Sequence, residues 1–423
     1  MSPIARLHTL SNGVRVVCDP MPGLRTLALT VAVRGGARWE DEATSGWSHC
    51  LEHLVFKGAG DMGAREIVER IEGQGGSINA ATGYERTSFE VRGLEGTLPL
   101  SMQVLSDLVF RPTLDPVEIE REKDVVAQEI AEAFDTPDDH VFEMAQTRAF
   151  ADQPLGRPIL GSVESLEPLD RESIGRWRAR LYSPDRMVVA AAGAVDEDEL
   201  LALAERWFGG ETSTPAEAPH AARFSGGAAS LARRIEQANI VFQLPSASAV
   251  DPDYPAARML AEILGGGMAS RLFQSAREAR GLAYAVDAWH EPYEDAGVLG
   301  IYAGAAADRG AELARVCADE LRALAEAGPT AEEVDRARAV LNAGLWMSDE
   351  NPAARAGRAA AQTLIFGAPI PSQVMADRTL AQTRDSVRAA AATALRSGVA
   401  ATAVLGPRAA APTGSAFHAA LFG

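Results

Sequence analysis

The chain has 423 residues, enough for two or more domains, and its 47% hydrophobic and 23% charged residues are typical of a globular protein with a sizeable core. Its formal net charge of -18 argues against a nucleic-acid partner and is compatible with simple solubility or with a positively charged substrate. Three scattered cysteines, and the lack of any apolar run near roughly 20 residues, predict a reducing compartment and no membrane partner.

The first half of the chain mixes strand and helix patterns. Strands are predicted over 13–18 and 27–33, where β-branched residues recur in alternating runs. A long helix is predicted over 116–134, because Asp115 is a suitable N-cap and a proline occupies the first helical position. Between these elements the sequence predicts a helix from near Ser45, a helix over 64–72, two strands within 77–91 and a helix over 99–108.

Residues 209–228 are dominated by glycine, proline, threonine and alanine, which predicts an inter-domain linker, assigned to 213–228. We therefore expect an N-terminal domain over 1–212 and a C-terminal domain over 229–423. The order of elements is similar in both, so the fold class is interpreted as α+β with two related domains. The second domain is predicted to contain strands over 238–244, 299–303 and 399–405 and helices over 254–264, 311–327 and 331–347.

The strongest chemical signal is the run His49-Cys50-Leu51-Glu52-His53 in the first predicted helix. Positions i, i+3 and i+4 lie on one face of a helix, so His49 and His53 can bind one metal ion with Glu52 beside them as general base. This is the inverted form of the H-E-x-x-H pattern of zinc peptidases. The alternative is a pair of surface histidines with a neighbouring carboxylate, against which the apolar flanks argue.

A catalytic zinc ion usually has three protein ligands and one open position. The long predicted helix offers two candidates for the third ligand, Glu122 and Glu129, which are seven residues apart and share a face. Helical periodicity does not decide between them. Either residue could equally be an ordinary solvated glutamate.

Three segments carry a wider pattern: GWSHCLEHLVFKG (46–58), GGSINAATGYERTSFEV (75–91) and EREKDVVAQEIAEAFDTPDD (120–139). With them the chain resembles the pitrilysin/insulinase zinc metallopeptidases over nearly its whole length, especially the branch of mitochondrial processing peptidase and its bacterial relatives. The resemblance implies domains built on mostly antiparallel sheets and one Zn²⁺ per chain. It implies Glu129 as the third ligand, 76 positions after His53, and Glu122 as a supporting glutamate.

The segment AREARGLAYAV (276–286) resembles the part of the family's second domain that reaches the substrate, which implies a substrate-binding role for Arg277 and Tyr284. A guanidinium and a phenol are suitable donors to a scissile carbonyl. Asn79 and Ala80 match the start of the family's edge strand, which pairs with extended peptides. The alternatives are an ordinary helix–glycine–strand junction and an ordinary strand.

The function expected from these features is that of a zinc-dependent endopeptidase acting on peptides or unfolded segments inside an internal chamber. The resemblance implies a homodimer and a bacterial cytoplasmic location, with a leader removed before residue 1 left open. The charge of -18 favours a peptide substrate with basic residues. The main alternative is a non-catalytic scaffold or assembly subunit of the same fold, and a second is a zinc hydrolase of non-peptide substrates.

Overall fold

The computed structural model describes residues 5–423, which form two compact units. The first unit contains the described residues up to Ile130 together with Pro158–Pro219 and Trp346–Ser372. The second contains Ala131–Arg157, His220–Leu345 and Gln373–Gly423. The predicted domains, 1–212 and 229–423, follow chain order and therefore differ from these units, because each unit includes a segment from the other half of the sequence.

The strands of the described chain form one six-stranded sheet, one five-stranded sheet and a short two-stranded hairpin. Most of them are buried and rich in valine, leucine and alanine, as expected for sheets covered by helices. In chain order the strands are β1 (Arg6–Thr9), β2 (Arg15–Pro20), β3 (Thr26–Val33), β4 (Gly58–Ala59), β5 (Met62–Gly63), β6 (Ser77–Thr82), β7 (Thr87–Leu94), β8 (Met187–Gly193), β9 (Gly227–Ala232), β10 (Gln237–Pro245), β11 (Ala283–Pro292), β12 (Gly297–Ala306) and β13 (Ala401–Gly406).

The two large sheets share one topology. In the first unit the order is β1-β2-β8-β3-β7-β6, with β2 and β8 parallel and all other neighbours antiparallel. In the second unit the order is β9-β13-β10-β12-β11, with β9 and β13 parallel and the others antiparallel. Apart from the additional β1, the strands correspond one to one. The predicted α+β class, with related and mostly antiparallel domains, is confirmed.

Helices cover these sheets, and several begin where a polar side chain accepts a hydrogen bond from the first turn, as Asp170, Asp196, Asn351 and Thr383 do. Among residues 5–423, no helix is long and apolar enough to cross a membrane. The helices are α1 (Trp47–Val55), α2 (Ala64–Glu72), α3 (Leu98–Phe110), α4 (Pro116–Asp135), α5 (Pro137–Ala149), α6 (Val163–Leu166), α7 (Arg171–Leu181), α8 (Glu197–Phe208), α9 (Tyr254–Gly265), α10 (Gly310–Glu326), α11 (Ala331–Asp349), α12 (Pro352–Phe366), α13 (Ser372–Leu380), α14 (Arg384–Arg396) and α15 (Thr413–Phe422).

Helix α12 belongs to the first unit although it lies in the second half of the sequence. Its small residues Ala359 and Ala360 pack against Val17 and Val188 of the first sheet, and small side chains allow the helix to approach the strands closely. Arg355 of α12 donates from Nε to the Asp19 carboxylate at 2.6 Å, and both side chains are buried. Because an unpaired buried charge is costly, this ion pair fixes α12 against β2.

Helix α5 has the corresponding place in the second unit. It comes from the first half of the sequence, and Val141 and Ala145 pack against Val241 of β10 and Ala403 of β13. Strands β10 and β13 are the counterparts of β3 and β8, so the sequence supplies each sheet with an equivalent covering helix from its other half. This exchange explains why the compact units do not follow chain order.

Candidate metal centre

Helix α1 has two chemically different faces. Cys50, Leu51 and Leu54 are buried in the core of the first unit. His49 and His53 lie on the other side, with side chains that are 14% and 21% exposed. Packing of the apolar face therefore holds both imidazoles at the surface of the core, which is the arrangement that the periodicity of the motif predicts.

Glu129 of α4 faces both histidines. Its Oε2 atom lies 3.8 Å from Nε2 of His49 and 3.7 Å from Nε2 of His53. One ligand atom from each of the three residues lies within 4.8 Å of the others. Zinc–nitrogen and zinc–oxygen bonds of about 2 Å span separations of this size, and two imidazoles with one carboxylate are a common catalytic zinc donor set. The residues therefore fit a zinc ion.

The protonation of His49 suits metal binding. Burial lowers the pKa of His49 to about 4, with a further contribution from the neighbouring His53. The imidazole is therefore neutral at pH 7, which is the form that binds a metal. Among the described residues, no group forms a hydrogen bond with the buried Nδ1 of His49.

Glu52 lies beside the histidines, and burial raises its pKa above the usual range for glutamate, while hydrogen bonds with Thr82 oppose that rise. Its Oε2 atom is buried and has no hydrogen-bond partner within residues 5–423. A carboxylate with a raised pKa and a free oxygen is suited to accept a proton from water and to release it later. These features are compatible with a general base, and that role of Glu52 stays a prediction.

Glu122 contacts His53 from the side away from Glu129. Its Oε2 atom accepts a hydrogen bond from Nδ1 of His53 at 3.1 Å, so that Nε2 points toward Glu129. Its Oε1 atom forms a 2.7 Å ion pair with Lys57, and only 3% of Glu122 is exposed. A carboxylate in this position fixes the orientation and tautomer of a ligating histidine.

Lys57 is a member of this group that the sequence analysis did not identify. It compensates the charge of a buried carboxylate that would otherwise be costly to desolvate. The available signal was its position four residues after His53, although Lys57 lies two residues beyond the end of α1 at Val55. A lysine at that spacing is common for unrelated reasons, so the pattern alone does not point to Glu122.

Asn79 and Ala80 lie on β6, which is the edge strand of the first sheet. They pair with Glu90 and Phe89 of β7 in antiparallel register. At the end of β6 the Thr82 hydroxyl lies 3.5 Å from the carbonyl oxygen of Ser48. The edge strand thus ends next to α1. Its position agrees with the expectation, and its pairing with a peptide stays a prediction.

Arg277 and Tyr284 lie in the second unit, where the backbone is irregular. Arg277 is in a π-helical turn, Phe273–Glu278, and Gly281 has a positive φ of 58°. Tyr284 is the extra residue of a β-bulge on the edge strand β11, and 67% of it is exposed. π-Helical turns and bulges are over-represented at functional sites because they re-aim side chains. The contact of both residues with a substrate stays a prediction.

The second unit offers no equivalent metal group. Its helix α9 follows β10 as α1 follows β3, and its sequence, YPAARMLAEILG, contains no histidine. Within residues 5–423, His49, His53 and Glu129 are the single cluster of three potential ligands. The described chain therefore has one candidate metal centre.

Comparison with known proteins agrees with a candidate metal centre in the first unit and none of this kind in the described second unit. Residues 15–163 match the sequence profile described as Insulinase (Peptidase family M16), and residues 168–341 match that of the Peptidase M16 inactive domain. The solved structure of a protease from Helicobacter pylori has a TM-score of 0.88 at 20% identity and covers 96% of this chain and 100% of its own. A Peptidase M16 inactive domain structure from Pseudomonas fluorescens has a TM-score of 0.87 at 20% identity and covers 95% of this chain and 98% of its own. Both show the fold.

Curated relatives are more similar in sequence. An uncharacterized zinc protease of Rickettsia bellii is 34% identical over 368 residues, which are 86% of this chain and 89% of that protein. The uncharacterized zinc protease YmxG of Bacillus subtilis is 33% identical over 361 residues, or 85% of this chain and 88% of that protein. Together with the two profile matches, these relatives confirm the predicted family resemblance. The chain belongs to peptidase family M16, the pitrilysin/insulinase family of zinc proteases.

Proposed function

We propose that the chain is a zinc-dependent endopeptidase that holds one zinc ion with His49, His53 and Glu129 and hydrolyses peptides or unfolded segments. The observation that carries this proposal is the convergence of the three ligand atoms within 4.8 Å, together with the half-buried carboxylate of Glu52 on the same helix as both histidines. A purely structural zinc site has four protein ligands and needs no general base, so this donor set favours catalysis.

A zinc ion held by His49, His53 and Glu129 would supply Lewis acidity and would lower the pKa of the attacking water. Glu52 accepts the proton of the attacking water and transfers it to the leaving nitrogen as the C–N bond breaks. Glu122, with its charge compensated by Lys57, holds His53 in the orientation that directs Nε2 toward Glu129.

We propose that the substrate is an extended peptide that pairs with the edge strand β6 near Asn79 and Ala80. An edge strand offers unpaired backbone groups, so it binds a peptide with little dependence on the side chains. Arg277 and Tyr284 supply donors to the substrate carbonyl groups. The net charge of -18 favours peptides with basic residues. The internal chamber implied by the family resemblance belongs to the same proposal.

A non-catalytic scaffold is the rival function, since part of the chain matches a profile described as inactive. That match covers residues 168–341, whereas α1 and Glu129 lie within the match to the insulinase profile over 15–163. The complete set of two histidines, Glu52 and Glu129 therefore supports an active peptidase. The experiments below distinguish the two functions.

Zinc binding is tested with three glutamate-to-glutamine variants of α4, which change the charge equally. We expect Glu129→Gln to lose most bound zinc, because the carboxylate ligand is gone. We expect Glu122→Gln to bind zinc about 10–100-fold more weakly, because the Nδ1–H of His53 then donates to a neutral amide oxygen and no longer to a carboxylate. Glu120→Gln is the control, since Glu120 is exposed and pairs only locally with Lys123. Chelator competition measures the affinities. Equal affinity of wild type and Glu129→Gln would remove Glu129 from the site.

Catalysis is tested with Glu52→Gln and quenched fluorescent peptides. We expect kcat to fall about 10²–10⁴-fold, because the variant lacks the proton acceptor, while the zinc content is retained. Wild type should cleave a basic peptide with a higher kcat/KM than an acidic peptide of the same length, and a chelator should abolish both activities. Equal rates for wild type and Glu52→Gln would rule out the mechanism, and no cleavage by zinc-loaded wild type would favour a scaffold.

The role of the second unit is tested with Tyr284→Phe, which removes only the phenolic hydroxyl. If this hydroxyl donates to the developing oxyanion, kcat should fall about 10²-fold while zinc affinity and thermal stability stay unchanged. Tyr254→Phe, which changes another tyrosine of the same unit, is the control and should keep wild-type kcat. Wild-type kcat in Tyr284→Phe would exclude this role for the hydroxyl.

We further propose that the protein is a homodimer, since one chain carries both the candidate metal centre and the Arg277–Tyr284 segment and needs no different partner to supply either. Sedimentation equilibrium of the purified chain should give about twice the monomer mass of 44.7 kDa at micromolar concentration. A monomer that cleaves peptides at full rate would contradict this part of the proposal.

A further inference from the structure

Glu40 precedes α1 and is buried, with only 3% of the residue exposed. Its two carboxylate oxygens accept hydrogen bonds from the backbone at the start of the helix. Oε2 accepts from the N–H of Gly46 and Oε1 from the N–H of Ser48, both at 2.8 Å. The first turn of a helix leaves four N–H groups without partners inside the helix, and one buried carboxylate here binds two N–H groups at this end.

Helix α1 depends on this remote carboxylate because its own N-cap residue has no side chain. Gly46 has a φ of 85°, in the left-handed region that favours glycine. A Cβ atom at this position would lie 2.4 Å from the carbonyl oxygen of Leu160, so the close approach excludes serine, aspartate or threonine. Glu40 supplies from outside the helix the acceptor that a capping side chain normally provides. Its negative charge also interacts favourably with the positive end of the helix dipole.

The start of α1 is also fixed by Ser165, which lies on α6 in the same unit. The Ser165 hydroxyl donates to the carbonyl oxygen of Ser45 at 2.6 Å. The indole Nε1–H of Trp47 donates to the carbonyl oxygen of Ser165 at 2.9 Å. The residues on both sides of Gly46 thus have fixed partners, Ser45 through its carbonyl oxygen and Trp47 through its indole. These hydrogen bonds hold the first turn of the helix in addition to the packing of its apolar face.

His49 is the metal-binding candidate that follows Ser48 directly. His53 has its own orienting partner, because Glu122 accepts a hydrogen bond from its Nδ1. Among residues 5–423, no group does the same for Nδ1 of His49. Metal–ligand distances tolerate deviations of only about 0.2 Å. The position of His49 Nε2 therefore depends on the backbone of the first turn.

We propose that Glu40 is a positioning residue of the metal centre, which holds His49 in place for zinc by anchoring the first turn of α1. This inference rests on the proposed zinc site. Glu40 acts on His49 through the N–H groups of Gly46 and Ser48 and has no direct part in the reaction.

The test compares Glu40→Gln with Asp19→Asn. Both replace a buried carboxylate of the first unit by its amide, but Asp19 lies on β2 and binds Arg355 of α12, away from α1. The amide of Glu40→Gln offers one acceptor oxygen for the two N–H groups. We expect the zinc affinity of the apo-protein to fall about 10–100-fold, in the range of other residues that orient metal ligands. The absorption bands of the cobalt-substituted protein should shift as well.

Asp19→Asn should lower the melting temperature of the apo-protein while zinc affinity and the cobalt spectrum remain those of wild type. The proposal is overturned if Glu40→Gln lowers only the melting temperature, or if both variants weaken zinc binding by the same factor. Should Glu40→Gln fail to fold, Glu40→Asp decides, since it keeps the charge but shortens the reach. Weaker zinc binding by this variant supports the proposal, and wild-type affinity overturns it. A wild-type protein that binds no zinc would instead refute the proposed function.

Discussion

The candidate site depends on one constraint: the nine residues of α1 must bury one face in the core and keep the other face polar. Leu51 and Leu54 are fully or almost fully buried, and this packing determines the rotation of the helix about its axis. Rotation by one residue would bring His49 or His53 into the core and remove it from Glu129. The chemistry of the site therefore depends on ordinary apolar packing on the far side of the same helix.

Three buried or half-buried carboxylates near α1 differ in what surrounds them, and this difference separates their roles. Glu122 has a cation and an imidazole as partners, so it is held as a fixed acceptor. Glu40 binds backbone N–H groups and serves the helix itself. Among residues 5–423, no group forms a hydrogen bond with the buried Oε2 of Glu52, and burial raises the pKa of this carboxyl group. A proton carrier needs an oxygen that is free to accept a proton, and the buried Oε2 of Glu52 agrees with the general-base role proposed for this residue.

Much of the fold and the site follows from local sequence patterns. Helices α1, α2 and α4 and strands β3 and β10 begin and end within a few residues of their predicted bounds, because capping residues and periodicity act locally. The choice of Glu129 over Glu122 needed the family spacing, since both lie on one helix face. Glu40 is not predictable from the sequence because it binds backbone N–H groups, which leave no residue pattern. Lys57 is not predictable because its partner, Glu122, is distant in the sequence. The bulge at Tyr284 was also missed, because residue alternation does not reveal an extra residue in one strand.

The exchange of α5 and α12 was not predictable from the sequence, because the sequence of a helix does not specify which of two sheets of the same topology it covers. Each sheet is covered by a helix encoded in the opposite half of the sequence, and in the first unit the buried pair of Asp19 and Arg355 joins residues 336 positions apart. It follows that no continuous stretch of the sequence contains a whole unit. A cut in the predicted linker 213–228 would separate α12 from the first sheet and α5 from the second. A cut in the segment whose composition predicts a linker therefore cannot yield two fragments that each contain a whole compact unit.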